Sequence, residues 1–509
     1  MDISIIVKDI VLDTSSSQPL YLQIADHIAA KIQENLLPAG TKLPPERELA
    51  KLFQVSRTTA INAYRQLEKQ ELITIRVGSG TYVCRDNDTL PSVTPMPWTQ
   101  LLLPHLNTPI SSILRSLIAG PVDRGNSISL AAGMPDPNFY PAATFQRLFQ
   151  EHLSQLDLAN FGHLATEGYQ PLRESIAAIC RQKGMAVNYN HILILSGSQQ
   201  GLYLTAKALL EPEDYVVVES PTYLGAIQVF QSSSARILCL PPSDGGNIPL
   251  DILEDYLIRY RPKLFYTIPT YQNPSGRVLP LEERQKLLAL AARHRLIILE
   301  DDPYGELYYE EVPPPSLKAL DHYGGVLYLG TLSKVLFPGL RTGWIAGPQV
   351  VINRLAQEKQ YNDLHCNTVT QWLVHRYLQE NLLPAHIESM RREYKKRRNA
   401  MLSSIRRFCG DSLTCTMPHG GFYLWCNINR QISCQTLLHE TSKAGVSFVP
   451  GEAFYATPSG TNEIRLCFAT HPETVLAEGI KRLAKVLHAL PEAGKAEYIP
   501  AFYTGRPII

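Results

Sequence analysis

The chain has 509 residues, 45% hydrophobic and 19% charged, enough for a sizeable core in two or three units and unlike a disordered, collagenous or low-complexity chain. Its 48 Lys and Arg balance 47 Asp and Glu, so neither a global basic field for nucleic acid nor an acidic tail is present, although a neutral whole can hide a basic part. Nine cysteines without a C-x-x-C pair read as reduced thiols rather than a disulfide framework or a metal site. The stretch Ile3–Val7 is too brief and acid-flanked for a signal peptide, and no apolar run nears the ~20 residues of a membrane span, so a cytoplasmic protein without membrane contact is expected.

The first elements are helical. Leu20, Ile24, Ile28 and Ile32 recur at helical spacing and predict one amphipathic helix. Leu43-Pro44-Pro45-Glu46-Arg47 then marks a stop and a new start, with proline suited to a first turn and Leu49 and Phe53 on the apolar side. After the break Gln54-Val55-Ser56-Arg57, Ser56 is the expected N-cap of a third helix whose Ala60, Tyr64 and Leu67 face inward. Arg57, Thr58, Thr59 and Asn62 lie around the N-terminal end of that helix, the end a recognition helix offers to the major groove. Leu72 to Val83 reads as a β-hairpin turning at Gly78-Ser79-Gly80, the wing of a winged helix-turn-helix.

Charge is polarised along this segment. Residues 1–41 carry two Lys and Arg against five Asp and Glu, a net of −3, whereas residues 42–85 carry eight against four, a net of +4. Cations therefore sit where phosphates would be met. A three-helix protein-interaction module with solvated charges is the alternative, because the fold also serves other contacts. The wing and the charge step favour DNA.

Residues 15–84 resemble the GntR-type winged-helix domain of bacterial transcription regulators. The match rests on Pro19-Leu20-Tyr21, on Leu43-Pro44-Pro45-Glu46-Arg47-Glu48-Leu49-Ala50, on Ser56-Arg57-Thr58-Thr59 and on Gly78-Ser79-Gly80-Thr81. It implies a double-stranded DNA operator as partner, met by Arg47, by Arg57, Thr58 and Thr59, and by the wing near Arg76 and Gly80.

Residues 85–126 are polar and Pro-punctuated at first and read as a linker, with an apolar part at 98–118 able to dock on a neighbour. From residue 127 short β-branched runs alternate with helical patterns. Ile192–Leu195, Tyr215–Val218, Leu264–Ile268, Leu296–Leu299 and Val326–Leu329 predict buried strands of a mainly parallel sheet covered on both faces. A smaller lobe with its own short strands is expected over 391–490.

Chemistry-bearing residues fall at strand ends, where open α/β sheets place ligands. Ser196-Gly197-Ser198-Gln199-Gln200-Gly201 opens a helix with free N–H groups, a signal for an anion that many helix starts share. Leu296–Leu299 leads into Glu300-Asp301-Asp302-Pro303-Tyr304: a solvated turn, a metal site, or one carboxylate holding a proton on a heteroaromatic nitrogen with a phenol nearby. Gly330-Thr331-Leu332-Ser333-Lys334 follows a strand and precedes Arg341. Such a lysine can form a Schiff base with an aldehyde while Ser333 and Arg341 hold a phosphate. An anion cradle, an acid with a phenol, and a lysine with an arginine together specify a pyridoxal phosphate site and no metal.

Residues 127–490 resemble the fold-type I aminotransferases, especially those close to kynurenine and aminoadipate aminotransferases. The resemblance implies that Lys334 carries the internal aldimine of pyridoxal 5'-phosphate and that Asp301 pairs with the pyridinium nitrogen. It implies that Tyr304 and Asn273, the latter in Tyr271-Gln272-Asn273-Pro274-Ser275-Gly276, bond the phenolic oxygen, that Tyr223 stacks on the ring, and that Ser198, Gln199, Ser333 and Arg341 hold the phosphate. Arg465, in Glu463-Ile464-Arg465-Leu466-Cys467, would take an α-carboxylate bidentately, with Asn273 and Gly133 also at the effector. Many relatives carry Tyr-Gly before the Gly168-Tyr169-x-Pro171-Leu172-Arg173 motif, and that tyrosine reaches the neighbouring subunit's phosphate; here His163-Leu164 takes the place.

Joined, the two resemblances give the architecture of MocR/GabR-type GntR regulators: a winged helix-turn-helix plus an α/β, PLP-dependent transferase of aminotransferase fold type I with a smaller C-terminal α+β lobe. Such proteins are head-to-tail homodimers that sense an amino acid, an amine or the cofactor itself. The alternative is a working aminotransferase of an α-amino acid with a DNA-binding appendage. The dedicated winged helix ranks the regulator first, with residual transamination allowed.

Overall fold

The computed structural model describes residues 10–491, apart from 11, 14, 15, 17, 35, 77, 78, 85–126, 153–161 and 243–246. The linker and part of the wing's turn thus lie outside the described residues. The chain divides into two compact units, residues 1–102 and 103–509.

In the first unit, helix α1 (Leu20–Gln33) buries Ile24, Ala25, Ile28 and Ala29 on one face. Strand β1 (Lys42–Leu43) precedes α2 (Glu46–Leu52), whose first turn carries Glu46 and Glu48 against the helix dipole. Ser56 caps α3 (Arg57–Lys69), its hydroxyl accepting the Thr59 N–H at 3.1 Å. Tyr64 donates from the buried face of α3 to Pro44 O at 2.6 Å and ties the helix to the turn before α2. Strands β2 (Ile73–Arg76) and β3 (Gly80–Val83) form the hairpin, and β1 extends it in the order β1-β3-β2. β1 has no period of its own; pairing of Lys42 with Tyr82 and Leu43 with Thr81 makes it a strand.

The first described strand of the second unit is β4 (Ile128–Ser129). Its main sheet contains β5 (Ile192–Leu195), β6 (Tyr215–Glu219), β7 (Arg236–Leu240), β8 (Leu264–Thr267), β9 (Ile297–Asp302), β10 (Val326–Thr331) and β11 (Gly343–Ala346), in the order β5-β11-β10-β9-β8-β6-β7. Every pairing is parallel except those of β11, which runs antiparallel to β5 and β10. Alternation sends Leu299, Leu329 and Ile345 to a core on one face and Phe265, Ile298 and Val326 to a core on the other.

The strand expected to stop at Leu299 runs on to Asp302, so the three carboxylates lie in β9 and not beyond its end. Period two then separates them. Glu300 accepts the N–H groups of Leu317 and Lys318 at 2.8 Å each, and Asp302 accepts from Tyr328 Oη and the Gly305 N–H. Asp301 is left for the other face.

The smaller lobe starts ahead of Arg391, with the helix Leu383–Phe408. Its sheet, in the order β12-β13-β16-β15, contains β12 (Leu413–Cys415), β13 (Tyr423–Ile428), β15 (Val449–Pro450) and β16 (Glu463–Cys467). Separately, β14 (Val446–Ser447) pairs in parallel with β4, tying the start of this unit to the lobe.

Candidate functional site

The site lies where β9 and β10 end and β13 and β16 of the smaller lobe face them. Lys334, just beyond β10, donates from Nζ to Gly133 O at 2.6 Å. Burial lowers its pKa to about 8, with Cys467 and Asp301 opposing and Arg465 and Arg341 assisting that shift. An amine so shifted is about one-tenth uncharged at pH 7 and half uncharged near pH 8, far more than an ordinary lysine, and the uncharged form is the one that attacks an aldehyde. Uptake of pyridoxal phosphate by the cofactor-free chain should therefore quicken as pH rises to about 8 and then level, as stopped-flow absorbance would report. A rise continuing to pH 10 would contradict it.

Asp301 is 3% exposed. Burial raises its pKa to about 7 against the hydrogen bond from Tyr266 Oη, which reaches Oδ2 at 2.9 Å. Its other oxygen, Oδ1, is buried without a hydrogen-bond partner. A buried acceptor left so is costly, and a protonated ring nitrogen is the kind of group that satisfies it. Tyr304 donates to Tyr423 Oη at 2.9 Å, and Tyr223 donates to Gln199 Oε1 at 3.1 Å.

Gly197 adopts φ +98 at the cap of the helix Ser198–Leu209. A Cβ there would lie 2.7 Å from the Arg341 guanidinium, so glycine lets that cation close on a helix N-terminus. Ser333 accepts from Thr331 Oγ1 at 3.0 Å beside this cradle's strand. Cation, hydroxyls and free helix N–H groups suit a phosphate.

Arg465 donates to Asn273 Oδ1 and to Ala131 O, each at 2.9 Å, and its Nε is buried without a partner. Its guanidinium stacks 4.1 Å from the Tyr423 ring centroid and 4.8 Å from that of Phe454. Asn273 thus meets Arg465, while the phenol network runs through Tyr423, a residue the sequence reading missed. Only its place in β13 behind Gly420-Gly421 could have flagged it.

A further feature emerges from the segment after β4. The carbonyls from Ser129 to Pro135 meet, in turn, His471, the Cys467 N–H, Arg465, Thr470, Lys334, Thr470 and Tyr140, the one Thr470 hydroxyl proton serving either Ala132 O at 2.9 Å or Met134 O at 3.2 Å. Arg397 anchors the far end through Asp136 at 2.7 Å. At Gly133 a Cβ would fall 1.9 Å from Tyr423 Oη, so no larger residue fits this strap.

In the first unit Arg47, Arg57 and Thr58 are exposed at α2 and α3, Thr59 is half-buried, and Arg57 pairs with Glu46 at 3.2 Å. On the wing, Tyr82 is flanked by Arg76 at 5.3 Å and Lys42 at 5.8 Å, next to Gly80. His163 Nδ1 lies 3.3 Å from His365 Nε2, giving that imidazole a partner within the chain.

Comparison with known proteins follows the same division. Residues 130–483 match the class I and II aminotransferases, and residues 20–83 match the gntR family of bacterial regulatory proteins. YisV of Bacillus subtilis, an uncharacterised HTH-type transcriptional regulator, is 34% identical over 93% of this chain and 97% of its own length. MocR of Rhizobium meliloti, a probable rhizopine catabolism regulatory protein, is 29% identical over 95% of this chain and 97% of its own. The α-aminoadipate aminotransferase LysN of Thermus thermophilus, solved with N-(5'-phosphopyridoxyl)-L-leucine, superposes with a TM-score of 0.71 at 35% identity, covering 77% of this chain and 98% of LysN.

Proposed function

The chain belongs to the class I and II aminotransferase family and carries a GntR-family helix-turn-helix domain, the architecture of MocR-type transcriptional regulators; on that footing we propose that it binds operator DNA and reports on an amino acid or amine at a pyridoxal phosphate site. The observation that carries the reading is the buried, partnerless Oδ1 of Asp301 in the pocket of Lys334, in one chain with a winged helix. When bound, the cofactor supplies an aldehyde that condenses with primary amines and a ring that withdraws electrons.

The chain's own residues do the rest. Lys334 Nζ would hold the aldehyde and, where not so engaged, would accept a proton. Asp301 holds a proton at the ring nitrogen, Tyr223 covers the ring, and Tyr304 and Asn273 serve the phenolic oxygen. Ser198, Gln199, Ser333 and Arg341 hold the phosphate. Arg465 takes the effector's carboxylate, alongside Asn273 and Gly133.

The strap explains how occupancy could be read. Lys334 and Arg465 now hold Gly133 O and Ala131 O, and both have ligands to turn to. A bound state therefore changes the anchoring of the segment that leads back through residues 85–126 to the DNA-binding unit, giving the differential contact that any population shift requires. The head-to-tail homodimer that the family resemblance implies is part of the same proposal, since two copies would bring two winged helices to one operator.

Titration of the purified protein with amino acids and amines, followed by absorbance and by DNA affinity, tests the reading. A reversible spectral change that alters DNA affinity supports a sensor; steady release of a keto acid without effect on DNA supports the enzyme. Arg57→Ala should weaken binding to a DNA fragment selected by the wild-type chain by about 1–3 kcal/mol, roughly 5- to 150-fold, with cofactor content unchanged. Equal affinity in a gel-shift titration would remove α3 from the DNA interface. Arg465→Ala should cost carboxylate-bearing effectors about 2–5 kcal/mol, roughly 30-fold or more, and leave simple amines less affected. An equal loss for both classes in calorimetry would place the carboxylate elsewhere.

A further inference from the structure

Three of the cysteines gather in the smaller lobe, away from the cofactor residues. Cys415 ends the edge strand β12, and Cys426 lies on β13 directly opposite it in the antiparallel register. Opposed residues of such a pair have Cα atoms about 4.5–5.5 Å apart and side chains on the same face, within the range of about 4.4–6.8 Å that a disulfide spans. Cys426 is fully buried, whereas Cys415 is half-buried at the sheet edge. The Cys426 thiol, hydrogen-bonded to it, and then Arg406 hold the Cys415 thiol below its ordinary pKa against its own burial. Cys409, just past the end of the long helix, is buried and acts electrostatically on Cys426, as Cys415 acts on it, but it has no register partner among the strands.

We propose that Cys415 and Cys426 are a thiol modification site, closing to a reversible intrachain disulfide when the protein meets a hydroperoxide. The Cys415 thiolate attacks one oxygen of the hydroperoxide, breaking the O–O bond and becoming a sulfenic acid, while the other oxygen takes a proton from solvent and leaves as water from hydrogen peroxide or as an alcohol from an organic hydroperoxide. The Cys426 sulfur then displaces the hydroxyl, forming the S–S bond and water. The two thiols give up two electrons and the peroxide takes them; a small dithiol reverses the reaction. The crosslink pins the edge strand to β13, the strand that carries Tyr423, and so adds an oxidant input to the lobe that faces the cofactor residues. This inference does not depend on the cofactor or on DNA binding.

The experiment treats the reduced full-length protein with hydrogen peroxide, counts thiols after denaturation and maps peptides without reduction. The count should fall from nine to seven, with a Cys415–Cys426 crosslinked peptide that dithiothreitol removes. Cys409→Ser should keep the crosslink, and Cys426→Ser should leave a Cys415 sulfenic acid that dimedone traps. A count still at nine, a Cys409 crosslink, or over-oxidation of Cys415 in the wild-type chain would each overturn the proposal.

Discussion

Lys334→Ala is expected to abolish the visible absorbance that bound pyridoxal phosphate confers through its link to the chain, together with any response of DNA affinity to added amines. The lysine is the half-buried amine among the site residues, and its lowered pKa, about 8, keeps it reactive. Alanine removes that nucleophile, and no other lysine shares the position at the end of β10. It also frees Gly133 O from its 2.6 Å hydrogen bond, so the strap should loosen between Ala132 and Met134. Hydrogen exchange over residues 129–136 would report that loosening apart from the spectrum. A mutant that keeps its absorbance after gel filtration would refute the assignment.

Asp301→Asn is expected to lower pyridoxal phosphate affinity by about 1.5–3 kcal/mol, roughly 10- to 150-fold, the range of a hydrogen bond to a charged group. The amide matches the carboxylate in shape and can still accept from Tyr266 through one oxygen. It then places an N–H donor where the partnerless Oδ1 stood, facing a ring nitrogen that needs an acceptor. The sign for pH follows from burial: the raised carboxylate pKa, about 7, means that a cofactor-free Asp301 is protonated below that value and an acceptor above it. Cofactor affinity of the wild type should rise as pH climbs through about 7, and the mutant should lose that dependence. Equal affinities with equal pH profiles, measured by fluorescence quenching, would show that Asp301 does not meet the ring.

Much of this protein was legible before its structure. Apolar strands reveal themselves by burial on both faces, and Ser56, as a short hydroxyl before a helical period, announces a cap wherever it stands. Lys334 and Arg341 stood out as charged residues beside a buried strand, which need a partner or a task, whereas Asp301 among three carboxylates and Arg465 were singled out by the family resemblance. The boundary between the two parts showed in the change of composition near residue 85, while their families rested on motifs.

Other features needed the fold. Which of Glu300, Asp301 and Asp302 faces the lysine depends on where β9 ends, and a strand's end is set by neighbours in the sheet, not by its own residues. β1, β7 and β11 are strands because others pair with them. Tyr423, Thr470 and Arg397 reach the strap from far along the chain, contacts that leave no local period to read. The sequence by itself determined which chemistry the chain carries, since residue type sets charge, nucleophilicity and turn preference. Only the tertiary structure decided which groups share that chemistry, because burial and distance come from the packing of segments hundreds of residues apart.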